Sequence, residues 1–305
     1  MANFIGSIYS KIMFSKHRYG KLPFSVMIEP TNACNFSCTF CPHRLMKRKE
    51  GYMTLELFKL ILARCQEAKI SHIYLYTVGE PLLHPQFLEM LQVAAGHKEI
   101  KKIEFFTNGS LLDESLIKEI IKLKKCIVHF SFSGWDKESY EQRYLGGSFE
   151  DTVGRIRCFN RMLCEFSAPD KMLVINGAVD SDLAKKKSVD FLKNYIGLKT
   201  VQIDIHDSFN WPGFVSSKEG DESIGKGVGG GYSCWSIRDR IGIMYDGRVT
   251  ACGCLDLDGE LIIGDIQRQS IREIREGADF QKLIIRFNQK KLNGLICCNC
   301  SHKQI

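Results

Sequence analysis

The run Cys34-Asn35-Phe36-Ser37-Cys38-Thr39-Phe40-Cys41 places three thiols on one short segment, directly after the strand-like stretch Phe24 to Glu29. Thiolates this close together converge on a soft metal centre. The count of three is what informs. A closed zinc site takes four ligands, and so does an ordinary electron-transfer iron–sulfur cluster. Three thiolates on a four-iron cluster leave one iron open to another molecule. Zinc completed by His43 is the competing arrangement. A second group, Cys234, Cys252, Cys254, Cys297, Cys298 and Cys300, closes on a CxxC spacing. Four of its thiols suit either a second cluster or a structural zinc.

The elements that must position these thiols alternate strand with helix. Strand-like runs are Phe24–Glu29, His72–Val78, Ile103–Thr107, Ile127–Ser133, Met172–Val179 and Val201–His206. Several are nearly continuous apolar stretches, as parallel strands covered on both faces require. Thr54 is placed to cap a helix carrying Phe58, Ile61, Leu62 and Cys65 on one face. Pro85 suits a first helical turn backed by Leu88, Leu91 and Ala95, and Asp113 suits the cap of a helix bearing Leu116, Ile117, Ile120 and Ile121. Further helices are expected over 149–166 and 184–195. Six β-then-α units fall two short of a full barrel and fit an open barrel or a doubly wound sheet. Both put ligands at the carboxyl ends of the strands, where the Cys loop lies.

Beyond His206 the pattern changes. Gly220–Gly231 is half glycine and reads as a linker or lid. Asp246-Gly247 and Asp258-Gly259 are hairpin signals between apolar runs, and a helix follows through about 270–288. Residues 1–22 carry four basic side chains and no acid, with Ile5, Ile8 and Ile12 on one helical stripe. They predict a short basic helix.

Thirteen cysteines in 305 residues, without a secretory leader, fit metal ligation in a reducing cytoplasm. Cys65, Cys126, Cys158 and Cys164 stand alone and read as buried small hydrophobes. No apolar run approaches the length of a membrane span. The formal charge of +7 is spread along the chain; it suits an anionic or nucleotide-like ligand and gives no support for nucleic acid.

The CxxxCxΦC spacing, with Phe40 as the aromatic, resembles the signature of radical S-adenosylmethionine (SAM) enzymes. Thr77-Val78-Gly79-Glu80-Pro81 resembles that family's GGEP motif, with Val78 in place of the first Gly. Thr107-Asn108-Gly109 and Ser131-Phe132-Ser133-Gly134 end the third and fourth strands in the same manner. The resemblance, which covers 24 to about 206, implies a partial (β/α)6 TIM-like barrel. It implies a [4Fe–4S] cluster on Cys34, Cys38 and Cys41, and SAM contacts from Phe40, Gly79, Glu80, Asn108 and Ser133. It also implies a 5′-deoxyadenosyl radical that removes a substrate hydrogen, and an electron donor such as flavodoxin or ferredoxin.

The C-terminal cysteines resemble a twitch or SPASM extension. That likeness implies a small α+β domain over 234–305, with β-hairpins and a helix, and an auxiliary [4Fe–4S] cluster on Cys234, Cys252, Cys297 and Cys300. Cys254 and Cys298 are then spare thiols and candidate hydrogen donors to a substrate radical. The domain order expected is a basic extension (1–23), the core (24–206), a linker (207–233) and the auxiliary domain. Relatives of this layout act on sugars and aminocyclitols or on ribosomal peptides. Twenty-two leading residues are too few for a peptide-binding domain, which favours a carbohydrate-type small molecule, dehydrogenated or epimerised, over a peptide. A zinc- or cluster-stabilised binding module is the non-enzymatic alternative.

Overall fold

The computed structural model describes residues 22–169, 172–198, 201–208, 234–253 and 256–300. The basic helix expected at the N-terminus, the glycine-rich segment and Cys254 lie outside the described residues.

Six parallel strands form in the expected places: β1 (Ser25–Ile28), β2 (His72–Leu75), β3 (Lys102–Thr107), β4 (Cys126–Ser131), β5 (Leu173–Val179) and β6 (Gln202–Asp207). Each pairs with the next in parallel. Helices return the chain between them: α1 (Leu55–Glu67), α2 (Phe87–Gly96), α3 (Glu114–Lys122), α4 (Lys137–Glu141), α5 (Phe149–Glu165) and α6 (Asp182–Asp190). The sheet is an unclosed α/β barrel. One of its faces, with Val26, Ile28, Ile73, Leu75, Ile103, Phe105, Val128 and Phe130, is sealed against the helices.

Local signals set the helix starts. Thr54 accepts from the Leu57 amide, and Asp113 from the Leu116 amide. α2 departs from expectation: it begins at Phe87 after an uncapped Gln86, and its buried stripe is Phe87, Met90, Leu91 and Ala94. Pro81, rather than Pro85, opens a helical turn there, a short 3-10 segment over Pro81–Leu83. Cys65 and Cys126 are buried, but Cys158 is half-buried and Cys164 exposed. Both lie off the buried α5 stripe of Val153, Ile156, Phe159 and Leu163.

The C-terminal part does not stand apart as a separate layer. After α7 (Trp235–Asp239), β7 (Arg240–Ile243) pairs in parallel with β1, and β8 (Arg248–Thr250) and β9 (Ile262–Asp265) extend the same sheet antiparallel. The strand order is β6-β5-β4-β3-β2-β1-β7-β8-β9. Asp246-Gly247 makes the β7–β8 turn, with Gly247 at φ +93. The single helix expected over 270–288 is two, α8 (Ile271–Glu276) and α9 (Ala278–Asn288), because the chain is extended at Gly277. A capping box between Ser270 and Glu273 starts α8.

Among the described residues no helix is long and apolar enough to cross a membrane.

Candidate active site and cluster-binding thiols

The loop after β1 carries Cys34, Cys38 and Cys41, all half-buried and none in a disulfide. The Ser37 amide donates to the Leu145 carbonyl (2.9 Å) and the Thr39 amide to the Arg143 carbonyl (2.9 Å), pinning the loop to the segment after α4. Asn32 holds its far side through Lys49 and Gly51. Burial pushes the Cys34 thiol up to about 12, and the nearby Glu80 and Cys41 push the same way. Cys38 rises for the same reason, with the charges of Cys41 and Cys34 adding to it. The three thiols therefore lie near enough for the charge of one to raise another. Reactive cysteine nucleophiles show the reverse shift, so these become thiolates only beside a cation.

Among the described residues no three His, Cys, Asp or Glu side chains converge to hold a single metal ion. A four-iron cluster is a larger body whose thiolates bind different irons, and three free thiols on one short loop suit it. His43 does not complete a zinc site through Nε2, which donates to the Asn32 carbonyl at 2.7 Å.

Gly79 abuts this loop. A Cβ there would stand 2.4 Å from the Thr31 carbonyl oxygen and 2.8 Å from that of Ala33. The close approach that demands glycine is to the Cys-loop backbone, and the Glu80 amide donates to Ala33 at 2.8 Å beside it. The Glu80 carboxylate accepts from the Thr107 hydroxyl (2.8 Å), the Asn108 amide (2.7 Å) and the Leu82 amide (3.1 Å). Burial nevertheless raises its pKa to about 7, the three donors opposing.

Asn108 donates to the Asn35 side chain (2.9 Å), and Asn35 donates in turn to Ser110 (2.8 Å). The Ser133 hydroxyl donates to the Ala178 carbonyl (2.9 Å) and meets the Tyr144 hydroxyl at 3.1 Å. Glu80, Asn108 and Ser133 are thus brought to the expected end of the sheet, each with its polar group bonded within the protein. Phe40 lies edge-on to Tyr144 at 5.1 Å.

Arg143 escaped the sequence reading. Its guanidinium sits 5.1 Å from the Phe40 ring, pairs with Asp180 and lowers the Cys38 thiol. A cleft of about 460 Å³ opens beside it, bordered by Ser133, Trp135, Gln142 and Asp180. Its only sequence signal was position, ten residues beyond Ser133 and just after α4.

Of the second group, Cys234, Cys252, Cys297 and Cys300 are buried and unpaired in disulfides, whereas Cys298 is half-buried. Burial pushes Cys297 up to about 12, with Cys234 and Cys300 adding to it; those thiols share one neighbourhood. The Cys298 thiol donates to the Asn293 side-chain oxygen Oδ1 at 3.9 Å. The Cys252 loop crosses the concave face of the sheet: a Cβ on Gly253 would lie 2.6 Å from the Met27 sulfur, and one on Gly242 2.8 Å from Gly253.

A buried ion pair ties the two thiol groups' supports together. Arg48 donates to both oxygens of Glu29 (2.8 Å each), which also accepts from the Thr77 hydroxyl (2.5 Å) and the Tyr245 amide (3.3 Å). The same Arg48 donates through Nε to the Leu257 carbonyl (2.7 Å).

Comparison with known proteins finds two family models along the chain. The radical SAM superfamily model matches residues 28–185, and an iron–sulfur cluster-binding domain model, SPASM, matches 234–301. A tungsten-containing aldehyde ferredoxin oxidoreductase cofactor-modifying protein of Pyrococcus furiosus is 34% identical over 109 residues, which is 34% of this chain and 29% of that protein. The chain spans between 29% and 49% of the length of the first curated relatives it matches. Among solved structures, BtrN in complex with AdoMet and 2-DOIA superposes with a TM-score of 0.61 at 16% identity, over 92% of this chain and 93% of that one. Streptococcus suis SuiB bound to precursor peptide SuiA gives 0.70 at 15% identity, over 90% and 69%.

Proposed function

The chain belongs to the radical SAM superfamily with a C-terminal iron–sulfur domain, and we propose that it dehydrogenates or epimerises a hydroxylated, ring-shaped small molecule. SAM and [4Fe–4S] clusters are its cofactors; when bound, they supply one-electron chemistry able to remove hydrogen from an unactivated carbon.

In this reading Cys34, Cys38 and Cys41 hold the first cluster, and three thiolates on a four-iron cluster would leave one iron to SAM. Gly79 and Glu80 brace the thiol loop from the second strand. Asn108 fixes Asn35 within it, and Ser133 sets the wall of the cleft. Arg143 offers the charge that a carboxylate of SAM would take, and Phe40 gives the edge of its nucleoside pocket. Cys234, Cys252, Cys297 and Cys300 hold the auxiliary cluster. Cys298 is half-buried and stands outside that buried set; in this reading it and Cys254 are the thiols of the group that no cluster takes. The +7 charge suits docking of an acidic electron donor such as a flavodoxin.

The observation that carries the ring-substrate reading is the concave face. There Tyr76 lies against Phe106 (centroids 4.2 Å apart), and Phe106 stacks on His129 (4.2 Å, 6°). Such a surface suits the apolar face of a ring. Peptide modification is the second reading, favoured by relatives named as a sporulation killing factor maturation protein and a PqqA peptide cyclase.

Anaerobic reconstitution is expected to give about eight iron and eight sulfide per chain, with 5′-deoxyadenosine released from SAM on reduction. Replacing Cys34, Cys38 and Cys41 with Ala should halve the iron and abolish the release. Full release by that variant would refute the assignment. Conversion of a peptide, with no turnover of aminocyclitols, would decide for the second reading.

A further inference from the structure

The concave face has two zones of opposite character. Toward the amino ends of the strands its charges are matched. Glu104 accepts from His72 Nε2, His129 Nε2 and Lys102 Nζ, each at 2.6 Å. Burial alone would raise that carboxyl, yet the donors hold it well below the usual carboxylate range.

Toward the carboxyl ends, one row beyond Phe106 and His129, three polar residues lie side by side on adjacent strands. Ser131 is in register with Asn176, and Asn176 with Asp204. The residues that alternate with them, Phe130, Ile175 and Ile205, are buried on the helix side. Among the described residues none of the three side chains has a hydrogen-bond or ion-pair partner. Below them Nδ1 of His129 is buried and likewise without a partner. Gln202 and His206 flank Asp204 on its own strand, and the His206 Nδ1 donates to the Asp207 carbonyl at 3.0 Å.

A hydroxyl, an amide and a carboxylate at strand spacing span roughly 10 Å, the width of one substituted six-membered ring. The amide and hydroxyl can satisfy neighbouring hydroxyls. Asp204 stands exposed on the edge strand β6, and a charge-assisted bond to a cation is the strongest it can make to a ligand there.

We propose that Ser131, Asn176 and Asp204 recognise the substrate, and that the group read by Asp204 is a protonated primary amine. This rests on the radical SAM reading above and narrows its substrate to amine-bearing molecules. The ring lies against the edges of Phe106 and His129 with its hydroxyls toward Ser131 and Asn176, and its ammonium lies on Asp204.

The test uses the anaerobically reconstituted enzyme with SAM. Binding of scyllo-inosamine and scyllo-inositol, which differ only in one amine, is measured by calorimetry beside Nα-acetyl-lysine amide and Nα-acetyl-norleucine amide. Wild type should hold the inosamine at least about tenfold tighter than the inositol, and Asp204→Asn should erase that preference while keeping its iron content and melting temperature. Asn176→Ala should weaken both cyclitols alike. Equal binding of the two cyclitols, or a preference that survives Asp204→Asn, would overturn the inference and leave the ring-substrate reading intact. Binding of the lysine probe alone, with its advantage over norleucine lost in Asp204→Asn, would uphold the inference and sink the ring reading. Binding of none of the four would sink both.

Discussion

Glu80 shows how a single residue can be legible in role and illegible in contact. Its place after Gly79 marks it as part of a ligand-binding turn, but its actual partners are Thr107, Asn108 and Leu82. Thr107 and Asn108 lie on the next strand, and no local pattern announces them. The folded protein holds the Glu80 proton up to about pH 7, above the ordinary carboxylate value. Its contribution to stability is therefore full below about pH 4.5 and is lost as pH rises toward 7. The loss is on the order of 3 kcal/mol. Denaturant titrations between pH 5 and 7.5 should show this decline in wild type and a flatter profile in Glu80→Gln. Parallel slopes would contradict the burial argument. Gly79 has the same lesson: its glycine was foreseen, while the backbone of Thr31 and Ala33 that crowds it was not.

At the scale of elements, the Glu29–Arg48 pair joins pieces that sequence separates widely. It binds the end of β1, the tail of the thiol loop, the strand leading to Gly79 and the turn after β7. Asp258 extends the joint by accepting from the Lys47 amide at 2.7 Å. Both side chains are nearly sealed from water, 6% and 1% exposed. Removing one partner leaves the other charge buried and unmatched, which costs about 3–5 kcal/mol. Arg48→Ala should lower the urea midpoint accordingly, and the double change Glu29→Gln with Arg48→Met should recover much of the loss. A midpoint unchanged in Arg48→Ala would show that the pair carries no such weight. The capped helices α1 and α3 were readable because a cap and its amide lie three residues apart. The Glu29–Arg48 pair was not, because nothing local distinguishes a buried Arg from a solvated one.

At the scale of the molecule, the described strands all join one sheet. β7 lies along β1 in parallel register, Val26 against Ile241 and Ile28 against Ile243, so the auxiliary thiols hang from the strand that leads into the first thiol loop. A chain truncated after Asp207 would expose the apolar β1 edge, which templates pairing with other chains. It would also strip Leu257, Asp258 and Tyr245 from the Glu29–Arg48 joint. It should elute as aggregate in size-exclusion chromatography where the full chain does not. A monodisperse truncated core would mean that the barrel stands without its C-terminal strands.

Sequence alone determined where the two groups of thiols lie along the chain, the six parallel strands and the helices between them, the turns at Gly247 and Gly259 and the caps at Thr54 and Asp113. Each of these depends on residues within a few positions of one another, where backbone geometry ties spacing to chemistry. Only the tertiary structure decided that β7 completes the sheet beside β1 and that Arg143 reaches Phe40. Only it showed that Ser131, Asn176 and Asp204 lie in one unpartnered row. Those outcomes depend on strand register and on which polar groups find mates across long loops, and packing of the whole chain sets both.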